Sequence, residues 1–220
     1  MDPWARRLEK SIRENRIEPN DMKPYLLFFM LVAACSTAQV QTSWKFVSDK
    51  NGINIYSGIV ENAKYKSIKV ETVFDGTINK LMDILGDISK HPEWVYKTKS
   101  ASIIKKISDY EFVYYTESIL PWPLSNRDAI IHLTMVPEKT NDVLRITAIS
   151  EPDLVGKKEK LVRIPFSRAT WYVTESANQI KIEYIFEIDP GGQLPVWLVN
   201  LLVDKGPYES FQNLRMMLRR

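Results

Sequence analysis

Residues Asp189 to Arg220 constrain this chain more than any other stretch. Asp189-Pro190-Gly191-Gly192 is a turn signal that closes a strand-like run. The sequence then turns apolar through Leu194, Val196, Trp197, Leu198, Val199, Leu201, Leu202 and Val203. Such a helix has little polar face, and a run of about ten apolar residues is too short to cross a bilayer. Protein must therefore cover it. Gly206-Pro207 is expected to bend or restart the helix, because proline removes a backbone donor and crowds the preceding turn. Beyond it, Tyr208, Phe211, Leu214, Met217 and Leu218 return at helical spacing.

The cover is written upstream as strands. Trp44 to Ser48 and Ile53 to Ile59 flank Asn51-Gly52, a hairpin dipeptide, and Tyr65 to Phe74 alternates. Asp75-Gly76-Thr77 then offers Thr77 as the cap of a helix whose Ile78, Leu81, Met82 and Leu85 share one face. A second short helical segment is expected to end near His91-Pro92 and deliver Trp94 to the core. Strands are expected at Lys99–Ser108, Phe112–Ile119, Arg127–Val136, Val143–Ser150, Arg168–Thr174 and Ile180–Ile188. In the last of these, Ile180, Ile182, Tyr184, Phe186 and Ile188 oppose Lys181, Glu183 and Glu187. The charged connection Glu151 to Pro165 is too long for a plain hairpin, and such loops often act as lids. The fold class is α+β: a single-layer antiparallel sheet with one dry face, curved so as to grip the terminal helix.

Composition excludes several functions. With 220 residues, 45% of them hydrophobic, the chain suits one substantial domain. A net charge of +3 without a basic stripe argues against nucleic acid as a partner. Cys35 is the single cysteine, so neither an intrachain disulfide nor a cysteine-cluster metal site can form. His91 and His132 have no carboxylate at ligand spacing, so no metal or other cofactor is expected, and the domain is read as a monomer. Residues 1–21 balance five basic against five acidic side chains and read as an upstream extension or a misassigned start. Residues 22–38 read as a secretory signal peptide. Cleavage after Ala38 would release a domain of residues 39–220 into the periplasm or medium. Val32-Ala33-Ala34-Cys35 instead resembles a bacterial lipobox, whose Cys35 would carry a lipid anchor. Both readings export the protein from a bacterial cytoplasm.

Leu120-Pro121-Trp122-Pro123-Leu124-Ser125-Asn126-Arg127-Asp128 resembles the segment that opens a central strand in START domains, the steroidogenic acute regulatory related lipid-transfer family. Asp189-Pro190-Gly191-Gly192-Gln193-Leu194-Pro195-Val196-Trp197 resembles that family's approach to its C-terminal helix. Their order, with Trp94 before and Arg163 between, extends the likeness over about Trp44 to Arg220. The resemblance implies a helix-grip fold enclosing an apolar tunnel for one lipid, with residues 151–160 (Pro152, Asp153, Gly156, Lys157, Lys158) as a lid whose lysines could meet anionic head groups. Candidate ligand contacts are Trp94, Tyr115, Arg127, Ala129, Ile131, Leu133, Trp171, Tyr184, Trp197 and Leu201. Arg127 could instead combine with Asp128 to fix the loop from Pro121 to Asn126. His132 has the opposite sheet parity and is expected to face away from the tunnel. In sterol-carrying members a second arginine stands where this chain has Leu133, which favours an acyl lipid, phospholipid or fatty acid, over a sterol. Two other readings remain open: a cyclase or aromatase of the same superfamily using the cavity for acid–base chemistry, and an interaction module with a collapsed cavity.

Overall fold

The computed structural model describes residues 43–59, 66–138, 143–192 and 194–220. The expected extension (1–21), the expected signal peptide (22–38) and Cys35 lie outside them. Ten strands form one sheet: β1 (Ser43–Lys50), β2 (Ile53–Ile59), β3 (Lys66–Asp75), β4 (Thr98–Ser108), β5 (Glu111–Ser118), β6 (Arg127–Glu138), β7 (Val143–Ser150), β8 (Val162–Arg163), β9 (Phe166–Ser176) and β10 (Gln179–Asp189). The spatial order is β1-β2-β3-β10-β9-β7-β6-β5-β4, antiparallel throughout, with β8 joined parallel to β6. Helix α1 (Ile78–Gly86), a 3-10 turn (Ile88–Lys90) and α2 (His91–Trp94) follow β3, and α3 (Val196–Leu218) ends the chain. This is the helix-grip α+β architecture, a curved antiparallel sheet around a C-terminal helix.

Local signals explain most element ends. Asn51 and Gly52 take φ of 57° and 75°, the left-handed pair that a two-residue hairpin needs. Thr77 Oγ1 accepts from the Lys80 N–H at 3.2 Å and caps α1. Gly76 sits at φ 145°, and a Cβ there would come within 3.3 Å of Leu218 Cδ2, so the turn also seats the end of α3.

Two expectations about proline need correction. The helical segment does not end at His91-Pro92: α2 continues to Trp94, because Pro92 occupies its first turn, where the N–H would have no helical partner. Nor does Gly206-Pro207 interrupt α3, which runs through Pro207 as one helix. Its distal half is held by Phe211, Leu214 and Leu218 in the core, and the Asn51 amide donates to Tyr208 Oη. That packing outweighs the single backbone bond a proline removes. β8 was not anticipated; at two residues it is too short for any periodicity to show.

Candidate functional site

The inner face of the sheet is uneven. At one end it carries Phe74, Phe112, Leu133, Met135, Leu144 and Ile146, all buried in one cluster with Leu81, Phe211 and Leu214. Towards the other end the same face carries Thr116 opposite Ala129, then Ser150, Ala148 opposite Ala169, and Ser167. On β10 the next positions are Tyr184, Phe186 and Ile188, opposite Trp171, Ala169 and Ser167. These three remain only half-buried although they lie on the inner face, as do Ala148, Thr116 and Ser150. Short side chains stop well below the height of their neighbours. A separate surface cleft of about 520 Å³, lined among others by Asn79, Asp83, Asp109, Phe112 and Met135, lies at the bulky end.

Aromatic side chains frame this patch. Trp171 stacks on Phe211 at 5.3 Å and meets Tyr184 edge-on at 4.6 Å. Trp94 contacts His91 at 5.4 Å, and His91 contacts Tyr114 at 5.2 Å. His91 Nε2–H donates to Leu85 O at 2.9 Å, and burial holds the imidazole below its ordinary pKa. Burial also pushes the Tyr114 and Tyr184 hydroxyls up, and Tyr114 raises Tyr184 further. Their strands are four apart in the sheet, which if flat would separate them by about 19 Å at roughly 4.8 Å per strand. The curvature brings them within electrostatic reach.

Of the candidate contacts, Trp94, Ala129, Ile131, Leu133, Trp171 and Tyr184 belong to the inner-face cluster or pack on it. Tyr115 does not. It lies on the opposite face with Val113 and Ile130, and Lys158 Nζ sits 3.7 Å from its ring centre. The side chains of Trp197 and Leu201 lie outside the described residues. Thr116, Tyr114, Ala148, Ser150, Ser167, Ala169, Phe186 and Ile188 share the inner face without being among the candidates, although alternation from Tyr184 and Ala129 points to several of them.

Arg127 and Asp128 fix the surrounding loops through different partners. The Arg127 guanidinium, on the inner face, donates to Ser125 O, Pro190 O and Gly191 O. It thereby joins the turn before β6 to the turn before α3. Asp128, on the outer face, takes a two-pronged bond from Arg163 at 3.0 and 2.9 Å. Arg163 also donates to Pro152 O, Val155 O and Gly156 O, fastening the first half of the 151–160 loop. Lys157 and Lys158 are exposed beyond it, and so is Asp153.

His132 is on the outer face, with Nε2 2.7 Å from Glu111 Oε1 and Nδ1 2.9 Å from Glu151 Oε1. Burial lowers its pKa, but the two carboxylates together outweigh burial and raise it above the ordinary histidine value. A histidine raised on folding stabilises fully below its unfolded pKa, near 6.5, and loses that contribution as pH rises through the folded value. Urea unfolding of His132→Gln and the parent should therefore differ most at pH 5.5 and converge above neutrality. A constant difference across that range would sink the assignment.

The residues matched by the START domain family model are 35–220. The chain belongs to the START domain family. START domains bind and transfer lipids. The chain is 26% identical over 169 residues to the phosphatidylcholine transfer protein of Mus musculus, covering 74% of this chain and 78% of that one. It is 25% identical over 174 residues to an uncharacterised protein of Pseudomonas aeruginosa, covering 78% and 85%. Among solved structures, a STAR-related lipid transfer protein from Xanthomonas axonopodis matches with TM-score 0.72 and 28% identity over 80% of this START domain chain and 99% of that one. Human StAR-related lipid transfer protein 5 shares the fold, with TM-score 0.67 and 20% identity over 91% and 96%.

Proposed function

We propose that this START domain binds one acyl lipid, a phospholipid or a fatty acid rather than a sterol, and carries it in a tunnel between the sheet and α3. The observation that carries this reading is the patch of short side chains, Thr116, Ala129, Ala148, Ser150, Ser167 and Ala169, beneath half-buried Tyr184, Phe186 and Ile188. Each methylene moved from water into such a space contributes roughly 0.8 kcal/mol, so a tail binds without any catalytic group. Leu133, buried and apolar on the inner wall, supports acyl chain over sterol. Closure falls to α3; the 151–160 loop, expected as a lid, has its Lys158 against Tyr115 on the outer face.

A carrier fits the ionisable groups better than a cyclase does. General acid–base chemistry needs a pKa near the working pH. Tyr114 and Tyr184 are pushed up, away from neutrality, and His91 is pushed down with its Nε2–H engaged by Leu85 O. Native mass spectrometry of the purified chain, followed by extraction, tests the reading. A stoichiometric phospholipid or fatty acid supports it; a protein that is empty and takes up no offered lipid overturns it.

The carrier is read as an exported monomer that touches membranes transiently. Trp122 stands 91% exposed on the Pro121–Trp122–Pro123 turn, and the neighbouring loop exposes Leu154, Lys157, Lys158 and Lys160. An indole with nearby lysines suits the interface of an anionic bilayer. Trp122→Ala should weaken co-sedimentation with anionic vesicles several-fold while leaving the melting temperature unchanged. Equal binding by both proteins would remove Trp122 from the contact.

A further inference from the structure

One polar group inside the grip is left over from the packing, and three uncharged polar side chains lie around it. Trp94, which is 6% exposed, has its Nε1–H buried with no hydrogen-bond partner. An indole N–H shut away from both protein and water keeps its full desolvation penalty, so its retention calls for an acceptor. His91 contacts both Trp94 and Tyr114; with Nε2–H given to Leu85 O, its neutral ring keeps Nδ1 as an acceptor. Tyr114, 8% exposed on β5, faces the same interior from one side of the short-side-chain patch, and Tyr184 on β10 faces it from the other. Burial pushes both phenols up and keeps them neutral, so each can donate its O–H to a ligand.

Every one of these groups is uncharged. The inner-face guanidinium of Arg127 is already committed to three backbone carbonyls at the start of β6. Among the described residues, a carboxylate or phosphate placed among the four would be buried without a counter-charge, which is far more costly than burying a carbonyl or hydroxyl that is hydrogen-bonded.

We infer that Trp94, Tyr114, Tyr184 and His91 form an uncharged polar subsite within the tunnel, which takes an ester or amide carbonyl or a hydroxyl of the ligand and rejects an ionised group. The inference rests on the tunnel proposed above and narrows its occupant to lipids whose inserted part carries a neutral hydrogen-bonding group. A phospholipid fits through its glycerol esters, with its phosphate held outside. A fatty acid fits only with its carboxylate left at the mouth.

The test is displacement of a fluorescent acyl probe from the full chain at pH 8 by hexadecane, hexadecanol, methyl hexadecanoate and hexadecanoate. One to two neutral hydrogen bonds should make the alcohol and the methyl ester bind about five- to tenfold more tightly than the alkane. In the Tyr114→Phe/Tyr184→Phe double variant, that advantage, taken relative to the alkane in the same variant, should fall to about twofold or less. A Trp94→Phe variant, which removes the orphan N–H and keeps an aromatic ring, gives an independent reading if the double variant folds poorly. Equal binding of alkane and alcohol by the parent, or tightest binding by the carboxylate, overturns the subsite. Failure of all four ligands to displace the probe overturns the tunnel itself, so the two ideas fail differently.

Discussion

Asp128→Ala is expected to lower the unfolding free energy by about 3–5 kcal/mol, the usual result of leaving one member of a buried ion pair alone. The side chains of Asp128 and Arg163 are 1% and 2% exposed, and two parallel bonds join them, so water cannot replace the lost carboxylate. For a domain of this size each kcal/mol moves the melting temperature by about 2–4 °C, which places the shift near roughly 10 °C. The damage should also reach the 151–160 loop, because the same guanidinium holds Pro152 O, Val155 O and Gly156 O. Trypsin should then cut sooner at the exposed Lys157, Lys158 and Lys160. Asp128→Leu combined with Arg163→Met should recover much of the loss, since an apolar pair leaves no buried charge, yet the loop should stay protease-sensitive. Denaturant melts and timed digestion measure both effects. A loss below about 1 kcal/mol would show that solvent reaches the pair.

Ala148→Phe separates a lipid carrier from a domain whose interior is filled. Ala148 lies mid-patch, opposite Ala169 and beside Leu133, and is only half-buried. If the space above it holds a lipid tail, a phenyl ring will occupy that space instead. Lipid recovered per protein should then fall tenfold or more, while stability changes by less than about 1 kcal/mol. In a tightly packed interior the same ring would force neighbours off their rotamers and cost about 1–3 kcal/mol or more. Extraction with quantification, beside a thermal melt, gives the two numbers needed. Destabilisation without any change in bound lipid would defeat the tunnel.

Much of this architecture is written locally. Asn51-Gly52 can take the left-handed turn, Thr77 can cap a helix start, and Ile180 to Ile188 alternate with charged residues, so a hairpin, α1 and β10 follow from interactions a few residues long. The two motifs around Arg127-Asp128 and Asp189-Pro190-Gly191-Gly192 were enough to suggest the family. They did not show what those side chains hold. Arg127 reaches Pro190 and Gly191, more than sixty residues away, and Asp128 reaches Arg163, thirty-five away. Such partners depend on which strands become neighbours.

The face occupied by Tyr115 was hidden for a related reason. Phe112, Val113, Tyr114 and Tyr115 are all buried, because the 151–160 loop covers the outer face of β5 while α1 and the core cover its inner face. A continuous apolar run has no alternation from which to assign faces. The order of polar and apolar residues by itself determined the strands, the turns and the dry face of β10. The register of distant strands and the curvature of the sheet decided which side chains meet inside, because contacts between residues far apart in sequence exist only once the chain has closed on itself.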